Sequence, residues 1–494
     1  MSPQEFHYER RRPERTTLYA VGRDNLHTLY AAADEGDASP LPAFVKRELE
    51  AYLECGLLCR GFAVLDCTDP ECQARHLLAF SCKGKGFCPS CLGRRMAQTA
   101  ANLIEHVLPE GVPLRQFVLT LPFELRARLA YDGALLGGTS RELATAVQDF
   151  YRRRFEQLGV RGGKTGSVTV VQRANSDLRL NPHYHQLTLD GVYTVADEEE
   201  EPEFHPLPHL TSDDVADVLQ LARVRILRFL KRRGAVVETR PLELSGGGED
   251  ESLAQLAAAA VTGRVPAGPE LRQREPVELR ERGEVRVTGA LLASDGGFTL
   301  HAATVAAGRD AVGREALARY ALRPPLAQER LTRASDDLVR LTLKRPFSDG
   351  TWAVELDPLS LLCRLVTTIP PPRFHTVRYA GVLAAASRLR ARIVPPRPGT
   401  AEGKPLPRGG ARSSWRPWAE LMKRVFQLNL EKCQRCGAPM KLRAVITAPA
   451  QVARYLRHLD EATELPARAP ARDPPYFRSP VVRRKLAEQL VLVA

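Results

Sequence analysis

No run of about eighteen apolar residues occurs in the chain, so no membrane-spanning helix is expected. The first residues, MSPQEFHYERRRPER, are charged and lack an apolar core, which argues against a secretory signal. The phosphate-binding pattern GxxxxGK(S/T) is missing, which disfavours a fused P-loop helicase. No internal repeat is found. Acidic residues are in deficit, with 58 Asp and Glu against 71 Lys and Arg, a net charge of +13. That excess favours a polyanionic partner, because Lys and Arg neutralise phosphates and release counterions.

What is present is a chain of 494 residues, or two to four domains at roughly 100–200 residues each. It is long enough to bury a sizeable core. Ten cysteines are distributed unevenly: seven from Cys55 to Cys91, then Cys363, and a separate pair at Cys433 and Cys436. Clustering around two C-x-x-C pairs reads as metal binding in a reducing, cytoplasmic setting rather than as disulfides.

Residues 1–40 read as a loose polar arm. Leu41–Leu58 has helical spacing at Phe44, Val45, Leu49 and Tyr52 and leads into the cysteines. Cys88-Pro-Ser-Cys91 is a tight knuckle whose turn lets two thiolates meet one ion. Cys67 and Cys72 can supply the other two ligands, since C-x4-C followed by C-x2-C suits a zinc ribbon. Cys55, Cys59, His76 and Cys82 remain as substitutes or a second site. Cys433-x-x-Cys436 is half a zinc site, or a knuckle completed by distant residues.

Further on, Phe117–Leu121 reads as a buried strand and Arg141–Gln157 as an amphipathic helix capped by Ser140. A helix is expected from Asp213 to Arg233, started by Thr211 or Ser212 and stopped by Gly234. Residues 243–285 read as a mobile insertion, and residues 396–414 as a linker. A C-terminal extension with the C-x-x-C knuckle, opening on a helix at Trp415–Phe426, follows at 415–494.

The stretch LRLNPHYHQLTLDGVY (Leu178–Tyr193) is the centre of the chain. Its alternation predicts a half-buried strand, on which residues two apart share a face. His183 and His185 therefore point one way and Tyr184 the other. Two neutral imidazoles side by side are half of a divalent-metal site. Asn181-Pro182 and Asp190-Gly191 are turn signals that bound the strand.

His183-Tyr184-His185 resembles the histidine–hydrophobic–histidine (HUH) motif of rolling-circle transposases of the IS91 family. The resemblance extends, in order, to CKGKGFCPSCLGRRM (Cys82–Met96), FVLTLPFELR (Phe117–Arg126), LARYALRPPLAQERL (Leu317–Leu331) and RYAGVLAAASRLRARIVP (Arg378–Pro395). It covers Leu41 to Ile446, and collinear order is more specific than any one motif. It implies an α+β protein with a zinc-binding DNA-recognition module at 41–100. A nuclease domain at 105–395 would carry the HUH strand in a central antiparallel sheet, with helices on one side.

By the same resemblance, Tyr320 attacks single-stranded DNA at the element's ends and forms a 5′-phosphotyrosine. Mg²⁺ or Mn²⁺ is held by His183, His185 and a polar residue of a neighbouring strand, for which Gln172 is the candidate. Zn²⁺ is held by Cys67, Cys72, Cys88 and Cys91, although the family usually has C-x-x-C where this chain has Cys67-x4-Cys72. Asp190 and Gln186 rank lower as ligands by strand parity. Arg94, Arg95, Arg319 and Arg323 are the expected DNA contacts. Two-tyrosine relatives carry a second tyrosine where this chain has Ala316, and Tyr379 is the rival nucleophile. A replication initiator or relaxase would share this chemistry, and a non-catalytic zinc-dependent DNA-binding protein is the alternative of a different class.

Overall fold

The structure is a computed structural model. It describes residues 12–34, 41–195, 200–237, 277–278, 284–335, 337–394, 430–474, 476 and 481–485. The expected linker, most of the expected insertion and the helix expected at 415–426 lie outside the described residues. Among the described residues no helix is long and apolar enough to cross a membrane.

The fold is α+β and is built on a seven-stranded sheet whose neighbours all run antiparallel. In order across the sheet the strands are Arg286–Gly289, Leu292–Asp295, Phe298–Ala306, Leu114–Thr120, Leu180–Leu189, Gly166–Ala174 and Val377–Gly381. The histidine strand, Leu180–Leu189, is thus paired on both sides. His183 lies opposite Thr120 on one neighbour and Gln172 on the other, and His185 lies opposite Val118 and Val170.

The hairpin leading into this strand turns earlier than Asn181-Pro182 suggests. Its turn is Asn175–Arg179, closed by Asn175 N donating to Arg179 O (3.1 Å) and Arg179 N donating to the Asn175 side chain (2.9 Å). Pro182 instead lies inside the strand, at a register shift between Gln172 and Ala174. At such a bulge a missing N–H breaks no regular ladder bond.

Helices cover both faces of the sheet, not one as expected from the resemblance. On the Tyr184 face, helices Gly133–Gln157 and Ser212–Arg232 pack Leu143, Val147, Tyr151, Val218 and Ile226 against Phe117, Leu119, Val171 and Tyr184. The second of these helices begins in a capping box made by Thr211 and Asp214, and Gly234 follows its end at φ 64°. The first begins earlier than expected. Its N-cap is Asp132, which accepts from Ala134 N and Leu135 N, and Ser140 is buried within the helix.

On the histidine face lie helices Pro89–His106 and Ala311–Leu322. Ala100, Leu103, Leu317, Ala318 and Ala321 pack there on Val168, Val170, Leu187 and Leu189. Both faces of the sheet are buried, so every strand residue must find a partner, polar ones included.

One buried polar network pins the end of the histidine strand. Arg115 Nε and Nη2 donate to the two carboxylate oxygens of Asp190 at 2.9 and 2.8 Å, and Tyr151 Oη donates to the same carboxylate at 2.6 Å. Asp190 is therefore committed to structure on the face away from the histidines. Removing it strands a buried guanidinium, which typically costs about 3–5 kcal/mol. Asp190→Ala is expected to lose that much stability in a urea titration of the full chain. A loss under about 1 kcal/mol would refute the role given to this pair.

A second body contains helices Thr17–Asp34, Ala43–Leu53 and Pro358–Thr368, and a four-stranded sheet. The sheet runs Leu331–Arg333, Val339–Thr342, Thr351–Leu356, Val482–Lys485. The expected loose arm at residues 1–40 thus includes a helix with Leu18, Tyr19, Leu26 and Leu29 buried. Cys88 and Cys91 belong to the same core.

Candidate active site and cysteine clusters

The strand period puts His183 and His185 side by side on one face, with ring centroids 5.0 Å apart. His183 Nδ1 meets the Asn181 carbonyl oxygen at 2.7 Å. Donation there fixes the proton on Nδ1 and turns the Nε2 lone pair outward. His185 is 2% exposed, its Nδ1 is 3.1 Å from the Gln116 amide nitrogen, and its Nε2 is buried without a partner. Turning that amide so that its oxygen accepts from Nδ1–H leaves the Nε2 lone pair to a ligand.

Both rings are held neutral. Burial pushes His183 down to about 4, helped by Arg323 and Arg126 and opposed by the bond to Asn181. Burial pushes His185 down to about 2, helped by His183, Arg323 and Lys344. Neutral imidazoles are the ligand form, and an orphaned ring nitrogen is what a metal-free ligand looks like.

Helix Ala311–Leu322 brings Tyr320 onto this pair. The Tyr320 ring packs edge-on against His185 at 5.6 Å between centroids, and the Arg323 guanidinium lies over the Tyr320 ring, 4.1 Å from its centroid. Tyr320 remains 47% exposed, so its edge is open to solvent and to a ligand. Gln172 Nε2 donates to the carbonyls of Tyr320 (3.2 Å) and Ala321 (2.7 Å) at the end of this helix. These bonds use only the amide nitrogen, and the amide oxygen is a separate acceptor. Among the described residues no third histidine, cysteine or carboxylate joins His183 and His185 within coordinating reach.

A cleft of about 360 Å³ opens beside the tyrosine helix, lined among others by Lys85, Arg95, Gln172, Arg323 and His375. Lys85 and Arg95 come from the cysteine-rich segment, and Arg95 lies on helix Pro89–His106, which packs on the histidine face. The other expected contacts sit differently. Arg94 donates to Ser81 Oγ at 3.2 Å, and Arg319 pairs with Glu315 one turn earlier at 2.7 Å. Tyr379 is on the edge strand opposite Val168, with Arg390 5.4 Å over its ring. Asp190 and Gln186 face away from the histidines, where Gln186 donates to Thr188 Oγ1 at 3.1 Å.

Gln116 and Lys344 went unread in the sequence. Gln116 is the buried polar residue of the strand LRQFVLT and shares the parity of Val118, which lies opposite His185. Lys344 follows strand Val339–Thr342 and is pushed down to about 8 by desolvation and by Arg323 and Arg330. Nothing local marks a loop lysine as a neighbour of a histidine far upstream.

The four cysteines expected to form one site are not brought together. They divide between two clusters, Cys55, Cys82, Cys88 and Cys91 in one, and Cys67, Cys72, Cys433 and Cys436 in the other. The physical reason is strand pairing: Phe62–Cys67 carries its cysteine away from the Cys88 knuckle and toward Met440–Ile446. In the first cluster, Cys55 Sγ is 3.6 Å from Cys88 and 3.8 Å from Cys91, and Cys82 is 3.4 Å from Cys91. Four thiolates around zinc at about 2.3 Å have sulfurs about 3.8 Å apart, whereas a disulfide needs about 2.05 Å.

Residues 27–121 match the family described as "Transposase zinc-binding domain" (Zn_Tnp_IS91), and residues 166–390 match the family described as "Putative transposase" (Y2_Tnp). Comparison with curated proteins and with solved structures gives no match. The first family spans Cys55–Cys91 and the second spans His183, His185 and Tyr320.

Proposed function

We propose that this chain, a transposase matching the IS91 family with its N-terminal zinc-binding domain, nicks and rejoins single-stranded DNA through Tyr320. The observation that carries this reading is the packing of an exposed tyrosine on His185, which shares its strand face with the half-buried His183, with Arg323 over the tyrosine ring. His183 and His185 would hold Mg²⁺ or Mn²⁺ through their Nε2 atoms, with the Gln172 amide oxygen as third protein ligand. When bound, the ion supplies Lewis-acid polarisation of the scissile phosphate and a template for it.

The chain's own groups do the rest. Tyr320 Oη attacks phosphorus, the bond to the 3′ oxygen breaks, and a 5′-phosphotyrosine forms. The phenol proton passes to solvent and the leaving oxygen takes one up, giving a 3′-hydroxyl. Attack by a 3′-hydroxyl on the phosphotyrosine reverses the step and rejoins DNA without an external energy source. Arg323 and Lys344 add positive charge beside the reacting phosphate. Gln172 ties ligand and nucleophile together, since its amide nitrogen already grips the tyrosine helix. Ala316, one turn before Tyr320, offers no second phenol, so one covalent link forms at a time.

DNA would reach Tyr320 along the cleft that Lys85 and Arg95 share with Arg323. Cys55, Cys82, Cys88 and Cys91 would hold Zn²⁺ and so fix the loop and helix that carry Lys85 and Arg95. This reading predicts a denaturation-resistant protein–DNA adduct when the full chain meets single-stranded element ends with Mg²⁺ or Mn²⁺. Chelation of the divalent ion should abolish it. DNA that is bound but never linked or cut, with either ion, would leave a non-catalytic DNA-binding protein as the correct account.

A further inference from the structure

The second cysteine cluster is assembled from the two ends of the chain. Strand Met440–Ile446 pairs antiparallel with Phe62–Cys67, which also pairs with Arg75–Ala79, giving a three-stranded sheet. Helix Pro449–His458 then packs Val452 and Leu456 on Leu58, Phe62 and Val64, with Tyr455 5.3 Å from Phe62 between ring centroids. We propose that Cys67, Cys72, Cys433 and Cys436 bind a second zinc ion, which clamps the C-terminal segment onto the N-terminal zinc module and makes that module bipartite.

The four sulfurs lie within 4.8 Å of one another. Cys67 is 3.4 Å from Cys436 and Cys72 is 3.6 Å from Cys433, too far for disulfides and close to the separation that tetrahedral thiolates around zinc require.

The backbone on both sides is turned for this purpose. Gly437 N donates to Cys433 O at 2.8 Å and Cys433 N to Ala438 O at 2.7 Å, with Gly437 at φ 78°. This tight turn brings two sulfurs to one point. On the other side Cys72 N donates to Asp69 O at 3.2 Å, and Cys67 N to Ala74 O at 2.9 Å.

Two further observations favour a metal. Among the described residues the apolar cluster around these thiols is small: Cys72, Cys433 and Met440, with Leu65, Cys67 and Ala74 at its margin. So little buried surface does not by itself hold an exposed knuckle in one conformation, and structural zinc supplies that energy where cores are small. The knuckle KCQRCGAPMKLR is also basic. Four thiolates with one Zn²⁺ are a net anion, and among these cations Arg435 reaches the cluster, donating to Cys72 O at 3.4 Å, whereas Arg443 pairs with Asp66 at 3.4 Å. The match to the zinc-binding family ends at residue 121 and therefore holds only half of this ligand set.

The proposal rests on cysteine geometry and is independent of the DNA chemistry. Metal analysis of the full chain, purified with a thiol reductant, should find two zinc ions per chain. The double variant Cys433→Ser/Cys436→Ser should retain one. With Co²⁺ in place of zinc, its thiolate-to-cobalt charge-transfer band should fall to about half of the parent's. One zinc in the parent, two in the variant, or a Cys67–Cys436 disulfide in the reduced preparation would each overturn it. If the variant does not fold, the parent decides. Titration of its thiols should release two zinc ions, whereas release of one refutes the second site.

Discussion

Replacing Tyr320 by phenylalanine should leave single-stranded DNA binding intact and reduce the covalent protein–DNA adduct to background. The substitution keeps the ring, and with it the edge contact to His185 and the Arg323 guanidinium above it. It deletes only the oxygen that attacks. Because Tyr320 is 47% exposed, the lost hydroxyl leaves no buried polar partner behind, and stability should change by less than about 0.5 kcal/mol. An unchanged melting transition beside a lost adduct therefore separates chemistry from folding. Tyr379→Phe is the control, since Tyr379 lies on the sheet's edge strand under Arg390. Peptide mapping of a trapped adduct decides the matter: a DNA-linked peptide containing Tyr379 or Tyr193 would assign the attack elsewhere.

The second large effect is at the histidines. His183→Ala and His185→Ala should each slow cleavage roughly a thousandfold or more, the equivalent of about 4 kcal/mol of transition-state stabilisation. DNA affinity should stay within about threefold, because it comes from phosphate contacts by Lys and Arg. The buried, unpartnered Nε2 of His185 makes this test selective. Because His185 is buried and meets the Gln116 amide, its truncation also costs some stability, so the melting transition is read beside cleavage and DNA binding. Gln116→Leu, which frees His185 Nδ1, should raise the metal concentration for half activation roughly 10–100-fold, as loss of a ligand's hydrogen-bond partner does. Gln172→Ala should act on both metal activation and the tyrosine helix. Metal-dependent cleavage undiminished in both histidine variants would remove the pair from the mechanism.

These two sites were legible in the sequence to different degrees. The histidine pair follows from a period of two, which needs no partner strand to put His183 and His185 on one face and Tyr184 on the other. Tyr184 is indeed buried on the far side, with its hydroxyl donating to Leu136 O at 3.1 Å. In the sequence Glu315 to Ala321 also reads as a helix, broken at Pro324-Pro325. Its place on the histidine face was not legible there, because that depends on Leu317, Ala318 and Ala321 packing against strands distant in the chain. The role of Gln172 is similar: parity sets it beside His183, but only packing supplies the two carbonyls its amide nitrogen holds.

The cysteines mark the boundary most sharply. By itself the sequence determined that thiols cluster at metal-binding spacing, that the chain is basic, and that an alternating strand carries two histidines on one side. These are local properties, set by residue spacing and side-chain chemistry. Which thiols meet was decided by tertiary structure alone. Spacing favours ligands near one another in the chain and so groups Cys67 and Cys72 with Cys88 and Cys91. The register between Phe62–Cys67 and Met440–Ile446 instead sets Cys67 opposite Met440 and carries the knuckle of Cys433 and Cys436 to it. Backbone hydrogen bonds between distant strands leave no local trace in either segment, so residue spacing cannot show which thiols they bring together.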